Sequence, residues 1–138
     1  MFIRSTASFS GIATLAALAL CQVALADGVK LNGQDETPPV TTTATGTANI
    51  TVGADKSVKG NVSTNGVEGT AAHIHIGAAG EKGPPVITLT KGASGEWTVP
   101  ADATLTDEQY AAYKAGKLYV NVHSVANKGG EIRGQLKP

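Results

Sequence analysis

Two stretches of this chain alternate between aliphatic and polar residues, and between them they hold all three of its histidines. Ala71–Gly77 reads AAHIHIG and Leu118–Ser124 reads LYVNVHS. Successive side chains of a β-strand point to opposite faces, so period-two alternation predicts a strand with one face in a core. In the first stretch Ala72, Ile74 and Ile76 share a face, and His73 and His75 share the other. In the second, Leu118, Val120 and Val122 lie opposite Tyr119, Asn121 and His123. The pattern turns every histidine away from the aliphatic face.

The rest of the chain reads as more short strands. Thr41–Val52 is rich in threonine, with Ala44, Gly46, Ala48, Ile50 and Val52 on one parity. Its small residues mark a place where another sheet comes close. Gly53-Ala54-Asp55-Lys56 reads as a turn, Ser57–Thr64 as the returning strand, and Asn65-Gly66 as a second turn. Pro85–Thr90 and Gly95–Pro100 add strands, the latter carrying the only tryptophan, and Lys117–Val125 and Glu131–Leu136 close the chain. One helix is predicted over residues 106–115, with Thr106 as N-cap, Asp107 and Glu108 in the first turn and Gly116 ending it. Six to eight strands with regular turn signals predict an all-β domain, a β-sandwich or flattened barrel.

Residues 1–26 read as a secretory signal. Arg4 is followed by the apolar run Ile12–Leu20, shorter than the ~20 residues a membrane span needs, and by the small-x-small site Ala24-Leu25-Ala26. Leu18-Ala19-Leu20-Cys21 resembles a lipobox, but Leu20 is too large for the position before the cysteine. A mature chain of residues 27–138 is one domain, secreted or periplasmic, without Cys21, the only cysteine. No disulfide or thiolate is then available. Charge is nearly balanced and forms no basic stripe, which excludes nucleic acid as a partner. With no second hydrophobic span, the mature chain does not cross a membrane.

The histidines carry the chemistry. Residues two apart on a strand have Cα atoms roughly 6.6 Å apart and side chains on one face. His73 and His75 could therefore meet one ion, and His123 from a neighbouring strand could complete the site. Three imidazoles and an open position suit copper, with zinc as the alternative; a blue-copper site is excluded because it needs a cysteine. The competing readings are a solvated or hydrogen-bonded sheet face, or another ligand. On the outer face of the last strand, Glu131 is expected to accept from an imidazole N–H and Arg133 to steer anions, with Asn121 beside them; a cross-strand ion pair is the alternative. No catalytic residue is assigned. Ser124 lies on the strand face opposite His123, no G-x-S-x-G is present, and Gly77-x-x-Gly80-x-x-Gly83 reads as a loop.

Leu31-Asn32-Gly33 with Glu36 and Pro38-Pro39-Val40, then AHIHIGAAGEKGPPV, then LYVNVHSVANKGGEIRGQL, resemble the CHRD (chordin-type) domain family from about Val29 to Leu136. The resemblance implies an immunoglobulin-like or related β-fold and a secreted location, and supplies no enzyme activity. His73, His75, His123 and Arg133 are also similar, in order and type, to the copper site of Cu/Zn superoxide dismutases, which are Greek-key β-barrels. The bridging histidine, zinc loop and disulfide of those enzymes are missing here. Three functions follow as expectations: a copper-binding CHRD protein, a copper-dependent dismutase-like enzyme, or a metal-free module binding an extracytoplasmic protein or glycan through Ala78–Pro85.

Overall fold

The computed structural model describes residues 28–138; the predicted signal, Cys21 and the expected cleavage site lie outside them. Nine strands and one helix follow in the order β1 (Val29–Leu31), β2 (Thr45–Val52), β3 (Val58–Asn65), β4 (Gly69–Ile76), β5 (Pro85–Thr88), β6 (Thr90–Lys91), β7 (Glu96–Thr98), α1 (Asp107–Lys114), β8 (Leu118–Ser124) and β9 (Ile132–Gln135). They make two antiparallel sheets, one in the order β1-β2-β3-β7-β6 and one in the order β5-β4-β8-β9. The arrangement is a sandwich; the sheets do not close into the barrel that was the alternative.

The core forms where the aliphatic faces of the two sheets meet. Ile74, Val120, Val122 and Ile132 of one sheet pack with Leu31, Ala48, Val62 and Trp97 of the other, all essentially inaccessible to solvent. Small residues on β2 allow the approach that their parity predicted. A methyl group added to Gly46 would come within 3.1 Å of the Ile132 side chain. Gly69 serves Trp97 in the same way, since a Cβ there would lie 2.7 Å from the indole.

The predicted strand Pro85–Thr90 is two strands in different sheets. Leu89 is buried, and its N–H bonds Ala72 O at 2.9 Å, so the chain turns from one sheet to the other at this residue. At the opposite corner the sheets touch again. Asn32 and Arg133 exchange backbone hydrogen bonds of 3.1 and 2.9 Å, linking the end of β1 to β9. The helix has the predicted caps. Thr106 Oγ1 accepts from Gln109 N, Gln109 Oε1 accepts from Thr106 N, and Gly116 takes φ +75°. Among the described residues no helix is long and apolar enough to cross a membrane.

Candidate metal centre

β4 and β8 are neighbours, with His73 opposite Asn121, His75 opposite Tyr119 and Ala71 opposite His123. This register gathers the three imidazoles on the outer face of the sheet. One potential ligand atom from each of His73, His75 and His123 lies within 4.8 Å of the other two. His73 Nδ1 is 3.1 Å from His123 Nε2. Two nitrogens bound tetrahedrally to one ion at ~2.0–2.1 Å stand about 3.3 Å apart, so this spacing suits ligands of a shared ion.

Backbone carbonyls fix the orientation of two rings. His75 Nδ1 donates to Gly83 O and His123 Nδ1 donates to Lys128 O, both at 2.8 Å. Each imidazole then carries its proton on Nδ1 and presents the Nε2 lone pair, the arrangement of a metal-binding tautomer; the lone pair of His123 accepts from His73 Nδ1 at 3.1 Å. His75 Nε2 is buried and has no protein partner. The histidines thus fit an ion of the imidazole-binding class.

Both inner histidines resist protonation. Burial, and then the neighbouring His123 and His75, hold His73 below the usual imidazole range. Burial also lowers His75, against the opposing hydrogen bond to Gly83 O. Neutral imidazole is the form that binds metal.

The outer face is not an open surface. Tyr119, Asn121 and Arg133 on it are as buried as the core. Two segments roof it: residues 32–40, folded back by Val40 N–Gly33 O at 2.8 Å, and the loop at residues 77–84. Arg133 holds the second, donating from Nη1 to Glu81 O at 2.7 Å and from Nη2 to Ala78 O at 3.0 Å. Its Cζ lies 3.4 Å from the centroid of the Tyr119 ring, which stacks on His75 at 4.9 Å with planes 4° apart. Gln135 adds bonds of 2.8 Å to Gly77 O and Gly116 O.

Two of the expected outer-face residues sit differently from the open sheet face that alternation suggests. Arg133 is 2% exposed, and its guanidinium binds the loop that supplies the carbonyl for His75. Glu131 does not reach an imidazole, and among the described residues neither it nor Arg133 makes a cross-strand ion pair. Its carboxylate accepts from Ser124 Oγ at 2.8 Å, Thr42 Oγ1 at 2.9 Å and Asn127 Nδ2 at 3.2 Å. Burial pushes its carboxyl up, but these hydrogen bonds outweigh it and hold it below the ordinary range. The parity argument fails at Glu131 because β9 starts one residue later and the preceding Gly130, at φ +125°, swings the chain out of strand geometry. Asn121 does lie beside the histidines.

The residue that sequence reading missed as part of the site is Glu36. It is 6% exposed, directed inward from the roof segment, with Oε1 buried and without a protein partner. Burial pushes its carboxyl up to about 7, with Arg133, Asn121 and Lys82 pulling the other way. An acid in the polar run Asn32-Gly33-Gln34-Asp35-Glu36-Thr37 reads as solvated by default, so only its place in the CHRD pattern distinguished it. Clefts of about 440 Å³ flank this roof segment, and no histidine lines either. The histidine cluster, which could hold an ion, lines neither cleft.

Fold and site together describe a small all-β domain with a roofed three-histidine cluster that could hold a transition metal. The sequence matches the family model of the CHRD domain over residues 28–136, and the chain belongs to that family. No curated protein and no solved structure matches it.

Proposed function

We propose that this CHRD-domain protein is secreted or periplasmic and binds one copper ion through His75 Nε2, His123 Nε2 and His73 Nδ1. The observation that carries the reading is the pair of carbonyl contacts, Gly83 O to His75 and Lys128 O to His123, which turn both Nε2 lone pairs away from the backbone: that of His75 has no protein partner, and that of His123 meets only His73 Nδ1, whose proton an ion would displace. Three neutral imidazoles without thiolate or carboxylate favour Cu(II), then Zn(II), over Ca(II) or Mg(II). A dismutase-like activity has less support, because Arg133 is engaged by the loop at residues 77–84. Extracytoplasmic placement rests on the signal-like residues 1–26, and intact mass should show a mature chain beginning at Asp27 and carrying no lipid, whereas an acylated Cys21 as N-terminus would overturn it.

Calorimetric titration of metal-stripped, untagged protein with Cu(II) is the test. One equivalent should bind, and His73→Ala, His75→Ala and His123→Ala should each weaken binding by a similar large factor. No binding above background would reject the metal reading in favour of an interaction module. Undiminished binding in His123→Ala would separate the two strands' histidines.

A further inference from the structure

Among the described residues, three buried side-chain polar atoms lack a protein hydrogen-bond partner: Glu36 Oε1, His75 Nε2 and Asn121 Oδ1. They belong to one neighbourhood. Asn121 lies opposite His73 in the β4–β8 register, and the His73 ring is 5.4 Å from that of His75. Gly130 shows how close Glu36 and Asn121 are. A single Cβ built on Gly130 would collide with Glu36 Oε1 and lie 2.5 Å from Asn121 Nδ2. An unpartnered buried polar atom is costly, and native proteins keep only a few, each calling for an explanation. Three at one place call for a shared guest.

The chemistry of the three atoms specifies that guest. His75 Nε2 offers a lone pair, and a metal ion accounts for it. Glu36 Oε1 and Asn121 Oδ1 are hydrogen-bond acceptors, and the Asn121 amide is oriented by Nδ2 donating to Gly129 O at 3.4 Å. Two acceptors beside an ion with an open position match a group that gives a lone pair to the metal and carries two donor hydrogens. Water is the smallest such group. Building on the copper reading above, we infer that Glu36 and Asn121 are positioning residues that hold a water molecule at the coordination position left open by the three histidines. Glu36 thereby joins the roof segment at residues 32–40 to the metal centre, and the ligand there is exchangeable rather than a protein side chain.

The test uses full mature protein loaded with Cu(II). Pulsed electron paramagnetic resonance in deuterated water should show deuterons of a copper-bound water in the wild type; their absence with copper bound at the histidines would overturn the inference, whatever any variant does. Glu36→Met removes the acceptor and should weaken Cu(II) binding by about 10–100-fold, the usual effect of losing an outer partner of a metal site. It should also alter the copper spectrum, whereas Glu36→Gln, which keeps an acceptor oxygen, should restore both nearly to wild type. If Glu36 serves only the fold, Glu36→Met will lower the melting temperature of the metal-free protein and leave copper affinity and spectrum unchanged; that outcome rejects the inference and leaves the histidine site standing. A wild type that binds no Cu(II) would reject the histidine site itself.

Discussion

Arg133 lies against the face of Tyr119, its Cζ 3.4 Å from the ring centroid, and both are buried on the side of the sheet facing away from the core. The pair links the last strand to the histidine cluster, because the same tyrosine stacks on His75 and the same arginine fixes the loop that contacts His75 Nδ1. The sandwich thus has a second, polar interior between its outer sheet face and the roof.

Removing that arginine should loosen both. Arg133→Ala gives up two charge-assisted bonds to Ala78 O and Glu81 O together with the cation–π contact. We expect a loss of roughly 2–4 kcal/mol in urea unfolding, and Arg133→Lys should recover less than half, since one ammonium cannot reproduce the planar fork. Copper affinity should fall with it. A variant with unchanged stability would place Arg133 outside the scaffold of the site.

Core and histidine residues should separate cleanly in the metal-free protein. Ile74→Ala or Val120→Ala should cost roughly 1–4 kcal/mol through lost burial and a cavity. His73→Ala, on the other face and half-buried, should cost little. Chemical denaturation of the three variants decides it, and equal losses would contradict the face assignment.

Stability of the metal-free protein should carry two opposed pH dependences. His73 and His75 are lowered, so near and below pH 6.5 the unfolded chain takes up protons that the folded one refuses. Their contribution is lost as pH falls. Glu36 is raised to about 7, so between 4.5 and 7 the folded state keeps a proton that the unfolded chain releases, and this contribution is lost as pH rises. Glu36→Gln abolishes only the second. Its stability relative to wild type should climb between pH 4.5 and 7, whereas parallel curves would show that Glu36 titrates normally in the fold.

Gly130 should tolerate no side chain. At φ +125° an alanine is strained, and its methyl group would strike Glu36 Oε1. Gly130→Ala should cost about 2 kcal/mol or more. Gly129→Ala next to it meets nothing within 4 Å and serves as the control.

The sequence showed which way the histidines point because alternation is a local signal: Ile74 and Val122 mark the core face, and that assigns His73, His75 and His123 to the other. It also showed the helix, through Thr106 and Gly116. It could not show the roof. Gly33–Val40 and Gly77–Pro84 have no periodicity, and they reach the sheet through contacts between residues some 50 to 100 positions apart, such as Arg133 with Glu81 and Gly130 with Glu36. Without the roof, the outer face reads as solvated, Arg133 as free to meet anions and Glu36 as a surface acid. The strand break at Leu89 escaped for a related reason: a residue shared between two sheets keeps the β-propensity of both.

The bridge between Asn32 and Arg133 places the first strand of the domain beside its last. Both ends of the fold therefore leave from one corner, and a polypeptide could enter and exit there without parting either sheet. Closely spaced ends let a domain be inserted into a loop of a host protein, or strung in series, while keeping its own core. This sandwich has the geometry of a cassette, and splicing residues 28–138 into an exposed loop of a carrier should leave the histidine cluster assembled.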